Sequence, residues 1–188
     1  MITDQTNYSG AQQAIISWLV DHAGIASVIF GNQVGDRPAK PYATILVISD
    51  GNKTGFDDVV KEYDEPSEQV QTTHLGPRTM TLQLMVYSEP AADIATREAN
   101  HYLNFALACL ESGEVRDLFR NAGIAVLNHT APQKLDQQLG ERWERRSQTD
   151  LTFSYTSKIF DDGGSGSGNW IETVVMPAES NGTATFNE

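Results

Sequence analysis

Glu98 and His101 in "EANH" stand three residues apart, which would put a carboxylate and an imidazole on one face of a helix. Di-iron carboxylate proteins use that motif twice, together with further helical carboxylates. No second copy is apparent in these 188 residues, so a solvated helix face is the better reading. His22, His74, His101 and His129 are far apart, with no H-E-x-x-H or other short metal spacing. Asp57–Asp58 and Asp161–Asp162 could in principle hold a hard cation, but adjacent acids on loops are usually just solvated. "GNKTG" lacks the glycine spacing and the G-K-[ST] ending of a phosphate-binding loop, and "GGSGSG" has linker composition rather than a nucleophile elbow. Cys109 is the only cysteine, so neither an intrachain disulfide nor a cysteine-cluster metal site can form. In "NFALACLES" it reads as a small buried residue rather than a nucleophile. No catalytic, cofactor-binding or metal-binding residue is assigned, and no cofactor is expected.

The remaining concentration of reactive groups is "ERWERRSQTDLTFSY", residues 141–155. Arg142, Trp143, Arg145 and Arg146 stand among Glu141 and Glu144, so the local excess of positive charge is slight. Nucleic-acid patches are more one-sided and interleave several aromatics. On a strand Arg142, Glu144 and Arg146 point one way, and Trp143 and Arg145 the other. Arg and Trp at a mixed-charge edge suit a protein interface, with acidic partners expected across a subunit boundary. A charged strand on a solvated face is the alternative.

Composition narrows the classes further. The formal net charge is −12, which argues against general affinity for nucleic acid or an anionic membrane. No stretch approaches the ~18 consecutive apolar residues of a membrane span. The opening "MITDQTNYSGAQQ" has neither a basic n-region nor an apolar h-region, so a reducing cytoplasm is the expected setting. The N-x-[ST] matches at Asn7, Asn52, Asn128 and Asn181 are then chance.

These residues must be positioned by a small set of elements. "GAQQAIISWLVDHAG" predicts a first amphipathic helix, with Ser9 as N-cap, Gly24 as its stop and Trp18 in the core. "YATILVIS" and "RTMTLQLMVYS" are strands, the second placing Met80, Leu82, Leu84 and Val86 on one face. A long helix is expected over about 91–112, with Ala95, Ala99, Leu103, Ala106 and Leu110 in a stripe. After a break at Ser112 and Gly113, "EVRDLFRNAG" adds a short helix ending at Gly123 in a left-handed cap. "IAVLNH" and the 141–155 stretch are further strands, the latter alternating Leu151, Phe153 and Tyr155 with polar residues. The order implies an α+β fold: an antiparallel or mixed β-sheet packed against helices, with a projecting acidic arm.

That arm occupies residues 50–75, where seven acids oppose Lys53 and Lys61. Asp57, Asp58, Glu62, Asp64, Glu65 and Glu68 are too charged for a core, so a twisted hairpin is expected, reaching toward a lumen or over a neighbouring subunit. The domain spans residues 1–160, followed by a Gly/Ser linker over 161–169 and a strand and tail over 170–188. Trp170, Ile171, Val174, Val175 and Met176 are an apolar set unsuited to water, and an isolated strand needs a sheet edge or groove. Residues 170–176 are therefore expected to dock on another protein, the alternative being a return to their own sheet.

In order, the helix containing "SWL", then "PYATILVIS", the arm leading to "RTMTLQLMVYS", "ADIATREANHYLNFAL", "AGIAVLNHTAPQKLD" and "ERWERRSQTDLTFSYT" resemble one family. It is that of the neck or tail-terminator proteins of tailed bacteriophages, particularly contractile-tailed ones, and the resemblance spans about residues 10–160. It implies a virion protein, assembled in the host cytoplasm as a ring of usually six subunits. Such a ring caps the completed tail tube and meets tube, sheath and head–tail connector proteins. Genomic DNA passes through its lumen without specific binding, and no membrane is involved. Another neck, adaptor or tail-completion ring is the nearest alternative, and a small enzyme with an unrecognised site is the remote one.

Overall fold

The computed structural model describes residues 2–4, 7–31, 37–64, 69–90, 98–140 and 142–161. In chain order the elements begin with β1 (Ile2–Asp4), α1 (Tyr8–Ser17), a π-helical turn (Trp18–His22) and β2 (Ser27–Phe30). Then come β3 (Tyr42–Lys53), β4 (Asp58–Asp64), β5 (Gln69–Ser88), α2 (Ala99–Cys109) and α3 (Gly113–Asn121). The last are β6 (Ile124–His129), β7 (Gln133–Lys134), β8 (Gln137–Leu139) and β9 (Arg142–Asp161).

The sheet is mixed, in the order β1-β9-β5-β3-β2, with β4 added to β5 and β6, β7 and β8 added to β9. Only β2 against β3 is parallel among the described pairings. The helices lie on one face, where alternate residues of the central strands are buried: Ala43 and Ile45 on β3, Met80 to Val86 on β5, and Leu151, Phe153 and Tyr155 on β9. The expected α+β class is the observed one.

Trp18 joins the helical layer to the sheet. It is 1 % exposed, and its indole N–H donates 3.0 Å to the Ala106 carbonyl of α2. That carbonyl is available because the last turn of α2 tightens, with the Leu110 N–H bonding to Leu107 instead. The Trp18 ring meets Phe119 of α3 edge-on at 5.8 Å, and Phe119 meets Phe153 of β9 in the same way at 5.8 Å. One aromatic run thus spans all the layers.

Several boundaries depart from expectation. The N-cap of α1 is Asn7 rather than Ser9, because the Asn7 side-chain oxygen accepts the Gly10 N–H at 3.0 Å. The helix expected over 91–112 is described only as α2. Glu98 precedes it in extended backbone (φ −82°, ψ 166°), and residues 91–97, including Ala95, lie outside the described residues. Ala99, Leu103, Ala106 and Leu110 are buried as expected. Ser112 caps α3 by accepting the Val115 N–H, and Gly123, with φ +74°, ends the turn behind it.

The sheet continues beyond the helices. At 20 residues each, β5 and β9 span about 65 Å. β3 and β4 follow one another along the same edge of β5, separated by the excursion 54–57 that presents Phe56 at 98 % exposure. Between Ile45 and Met80 no described apolar residue is buried. Of the 50–75 region, β4 and the first half of β5 form an antiparallel pair that continues the main sheet, flanked by the end of β9 and by β1.

Removing Trp18 leaves a cavity among three layers and an unpaired carbonyl. Trp18→Ala is expected to lower stability by about 3–5 kcal/mol. Trp18→Phe, which keeps most of the packing but not the hydrogen bond, should cost about 1–3 kcal/mol. Urea unfolding of both variants measures the difference, and a Trp18→Phe variant as stable as the wild type would show that the hydrogen bond contributes nothing.

Candidate functional site

The start of β9 carries two ionic networks, one on each face of the strand. Glu144 is 4 % exposed, although it is a carboxylate. Its Oε2 accepts from Arg146 Nε at 2.8 Å and Nη2 at 2.5 Å, while Oε1 faces Lys40 Nζ at 3.2 Å and Arg37 Nη1 at 3.5 Å. Antiparallel register sets Arg146 opposite Tyr87, and its guanidinium lies 5.3 Å from that ring's centre. Tyr87 in turn stacks on Tyr42 at 4.7 Å. Burial pushes the Glu144 carboxyl up, but hydrogen bonds from Arg146 and Lys40 outweigh it and hold the group below its ordinary range.

On the other face Arg145 Nη1 donates to Asp136 Oδ2 at 2.6 Å, and the second oxygen of Asp136 accepts the Arg146 backbone N–H at 3.2 Å. Arg145 Nε lies 3.7 Å from Glu98 Oε1, and Lys134 reaches Glu98 Oε2 at 3.5 Å. Ser147, fully buried, shares its one hydroxyl proton between the Gln133 carbonyl at 3.1 Å and the Asn100 side-chain oxygen of α2 at 3.2 Å. Carboxylate partners for Arg145 and Arg146 are therefore present in the chain itself. Trp143 is 49 % exposed, and of Arg142 the backbone alone is described. Lys40 and Asp136, and the role of Glu98 as a partner of Arg145 rather than of His101, escaped the sequence reading because nothing local marks a residue for pairing with a strand far along the chain.

The acidic arm has an anchored base. Asp57 receives a bidentate pair from Arg78, 2.7 and 3.0 Å long, plus Lys53 Nζ at 2.9 Å. Those bonds, led by the one from Arg78, hold its carboxyl well below the usual carboxylate range. Gly76 makes the approach possible, since a Cβ there would lie 1.8 Å from Asp57 Oδ1. Asp58 and Glu62 are exposed, Asp64 is described by its backbone in β4, and Glu65 and Glu68 lie outside the described residues. So do Trp170, Ile171, Val174, Val175 and Met176.

Among the described residues no group of three or more His, Cys, Asp or Glu could hold a metal ion, and no helix is long and apolar enough to cross a membrane. Glu98 is bound to Lys134 and Arg145 from outside the helix, so it does not form a helical pair with His101. Burial pushes the Cys109 thiol up, as for an inert packed residue. The site can hold a strand end rigid and present Trp143; it offers no nucleophile beside a base.

The family model described as phage neck terminator protein matches residues 10–184. The chain belongs to the phage neck terminator family. The match includes the Gly/Ser segment and the strand-like residues beyond it, so the family pattern extends past the 10–160 span of the sequence resemblance. No curated protein matched the chain. A phage neck protein belongs to the virion.

Both anchored carboxylates of this neck terminator have lowered pKa values. Their stabilisation is therefore complete above the ordinary range near pH 4 and is lost as pH falls through the lower folded values. The melting temperature should be flat from about pH 8 to 5 and fall below about pH 4. Glu144→Gln removes the counter-charge shared by Arg146, Arg37 and Lys40, leaving Lys40 with Glu89 alone, and should cost about 3 kcal/mol at neutral pH. Circular-dichroism melts across that range should also show a shallower acid decline for this variant, and an identical decline would rule out Glu144 as a contributor.

Proposed function

We propose that the protein assembles as a ring, six subunits in number, that caps the tail tube of a contractile-tailed phage and joins the tail to the neck. DNA passes through its lumen, and no catalytic step is involved. The family match over residues 10–184 carries this reading. The tube, the sheath and the head–tail connector are the partners, and assembly takes place in the host cytoplasm. Trp143 and the arginines beside it belong to a subunit contact. Here the internal ion pairs keep the strand end rigid, so association has little left to order.

The net charge of −12 supports the DNA part of the reading. Duplex DNA binds by releasing counterions to lysines and arginines, and an acidic lumen gives it none. The exposed Asp58 and Glu62 are the carboxylates the described part of the arm contributes to such a surface.

Native mass measurement and negative-stain microscopy of the purified protein should give a six-membered ring, and a monomer at all concentrations would overturn the assembly. Tails assembled without the protein should have uncontrolled lengths, whereas normal lengths would point to another neck or completion ring. The assembled wild type should not retain duplex DNA at about 0.1 M salt. Asp58→Lys with Glu62→Lys should retain it in a salt-sensitive way, the logarithm of affinity falling with that of salt by about 0.9 for each phosphate neutralised. Equal retention by wild type and variant would remove the arm from the DNA path.

A further inference from the structure

The edge strand β6 pairs with β9 on one side, and among the described residues nothing pairs with its other side. That side opens on a cleft of about 530 Å³ between α3 and β6. Leu110, Phe119 and Val126 line it, Leu127 stands 58 % exposed beside them, and Arg116 and Arg120 form part of its rim. The two arginines are held by Glu111 and Asp117 in exposed ion pairs, which another carboxylate displaces at little cost. The cleft has an apolar floor of Leu110, Phe119 and Val126 and polar flanks that include Glu111, Asn128 and His129. An unpaired edge beside such a cleft is an arrangement that accepts an amphipathic added strand.

The chain carries a segment of matching character. In "WIETVVM", residues 170–176, an extended backbone puts Trp170, Glu172, Val174 and Met176 on one side. The family match runs through residue 184, so this segment is part of the family pattern. We propose that residues 170–176 of a neighbouring copy add as an antiparallel strand along the open edge of β6. Trp170, Val174 and Met176 then fill the cleft, with Glu172 near Arg116 and Arg120.

Reach decides between the chain's own segment and a neighbour's. β9 ends at Asp161, ten positions past Leu151, the partner of His129 at the end of β6. Antiparallel addition starts residue 170 beside His129, about 33 Å back along β9 and about 10 Å across two strand spacings, roughly 34 Å in all. Nine chain steps span at most about 30–32 Å fully stretched. A relaxed Gly/Ser linker of that length averages about 17 Å. In this full-length register the chain's own segment falls short; it reaches β6 by giving up the first antiparallel pairs or by the parallel arrangement, which is the less stable per residue.

The inference rests on the ring reading in needing a second copy. Full-length Ala125→Cys and full-length Thr173→Cys, which stand opposite one another in this register across the irregularity at Leu127, each with Cys109→Ala and verified as folded by circular dichroism, are mixed and mildly oxidised. A disulfide-linked two-chain product is expected, with its yield lowered about five-fold when Arg116→Glu and Arg120→Glu are added to the Ala125→Cys chain. A chain carrying both cysteines that closes only on itself would overturn the proposal in favour of its own segment. A ring seen by native mass measurement without any disulfide would overturn the cleft assignment while leaving the ring reading intact. Linked chains from a protein that forms no ring would support the cleft assignment and count against the ring.

Discussion

The indole of Trp18 is the point on which the layers depend. The sheet contributes a ridge of aliphatic side chains, but three short helical segments must be seated on it, and none is long enough to be stable alone in water. Trp18 supplies both kinds of tie. Its ring continues through Phe119 to Phe153, and its N–H binds the carbonyl released where α2 tightens. The π-helical turn follows from the same demand: one wider turn at Trp18–His22 carries Trp18 and Leu19, both essentially unexposed, toward the interior and finishes the helix before Gly24.

Two strands of 20 residues then transmit that anchored core outward. Their register is continuous from the helix-covered half into the uncovered half, so a buried position such as Phe153 and a half-exposed one such as Ile159 belong to a single ladder. Backbone pairing holds the outer half with little hydrophobic burial, and this is what lets so acidic a stretch remain ordered. Its base is fixed where β3 gives way to β4, by the Arg78–Asp57–Lys53 cluster over the space left by Gly76.

At the other end of β9 the same logic applies with opposite exposure. Glu144 is buried, yet it remains ionised because Arg146, Lys40 and Arg37 surround it. A buried charge cluster adds less net stability than apolar packing would, but it fixes a strand end and the loop before β3 in one arrangement. The arginines that looked available for a partner are thus largely committed. The exposed apolar surface at this end is Trp143, with Leu135, 41 % exposed, between β7 and β8. A partner that docks there meets an ordered surface.

The sequence by itself determined the element types, the faces that are buried and the family. Each of these is written in short-range patterns: two-residue alternation through Met80–Val86 and Leu151–Tyr155, the helical stripe of α2, the stop at Gly123, and the order of motifs along the chain. Tertiary structure decided which charges meet. Lys40 pairs with Glu144 across most of the chain, and Arg145 meets Glu98 across a helix–strand contact, because antiparallel register and layer packing bring distant residues together without any local mark. It likewise decided that the acidic region continues the main sheet: the partners that extend it, the end of β9 and β1, come from opposite ends of the described chain. Local caps fell between the two. Asn7 and Ser9 are both competent by type, and the choice was made by which side-chain oxygen could reach a free N–H at the entry of α1.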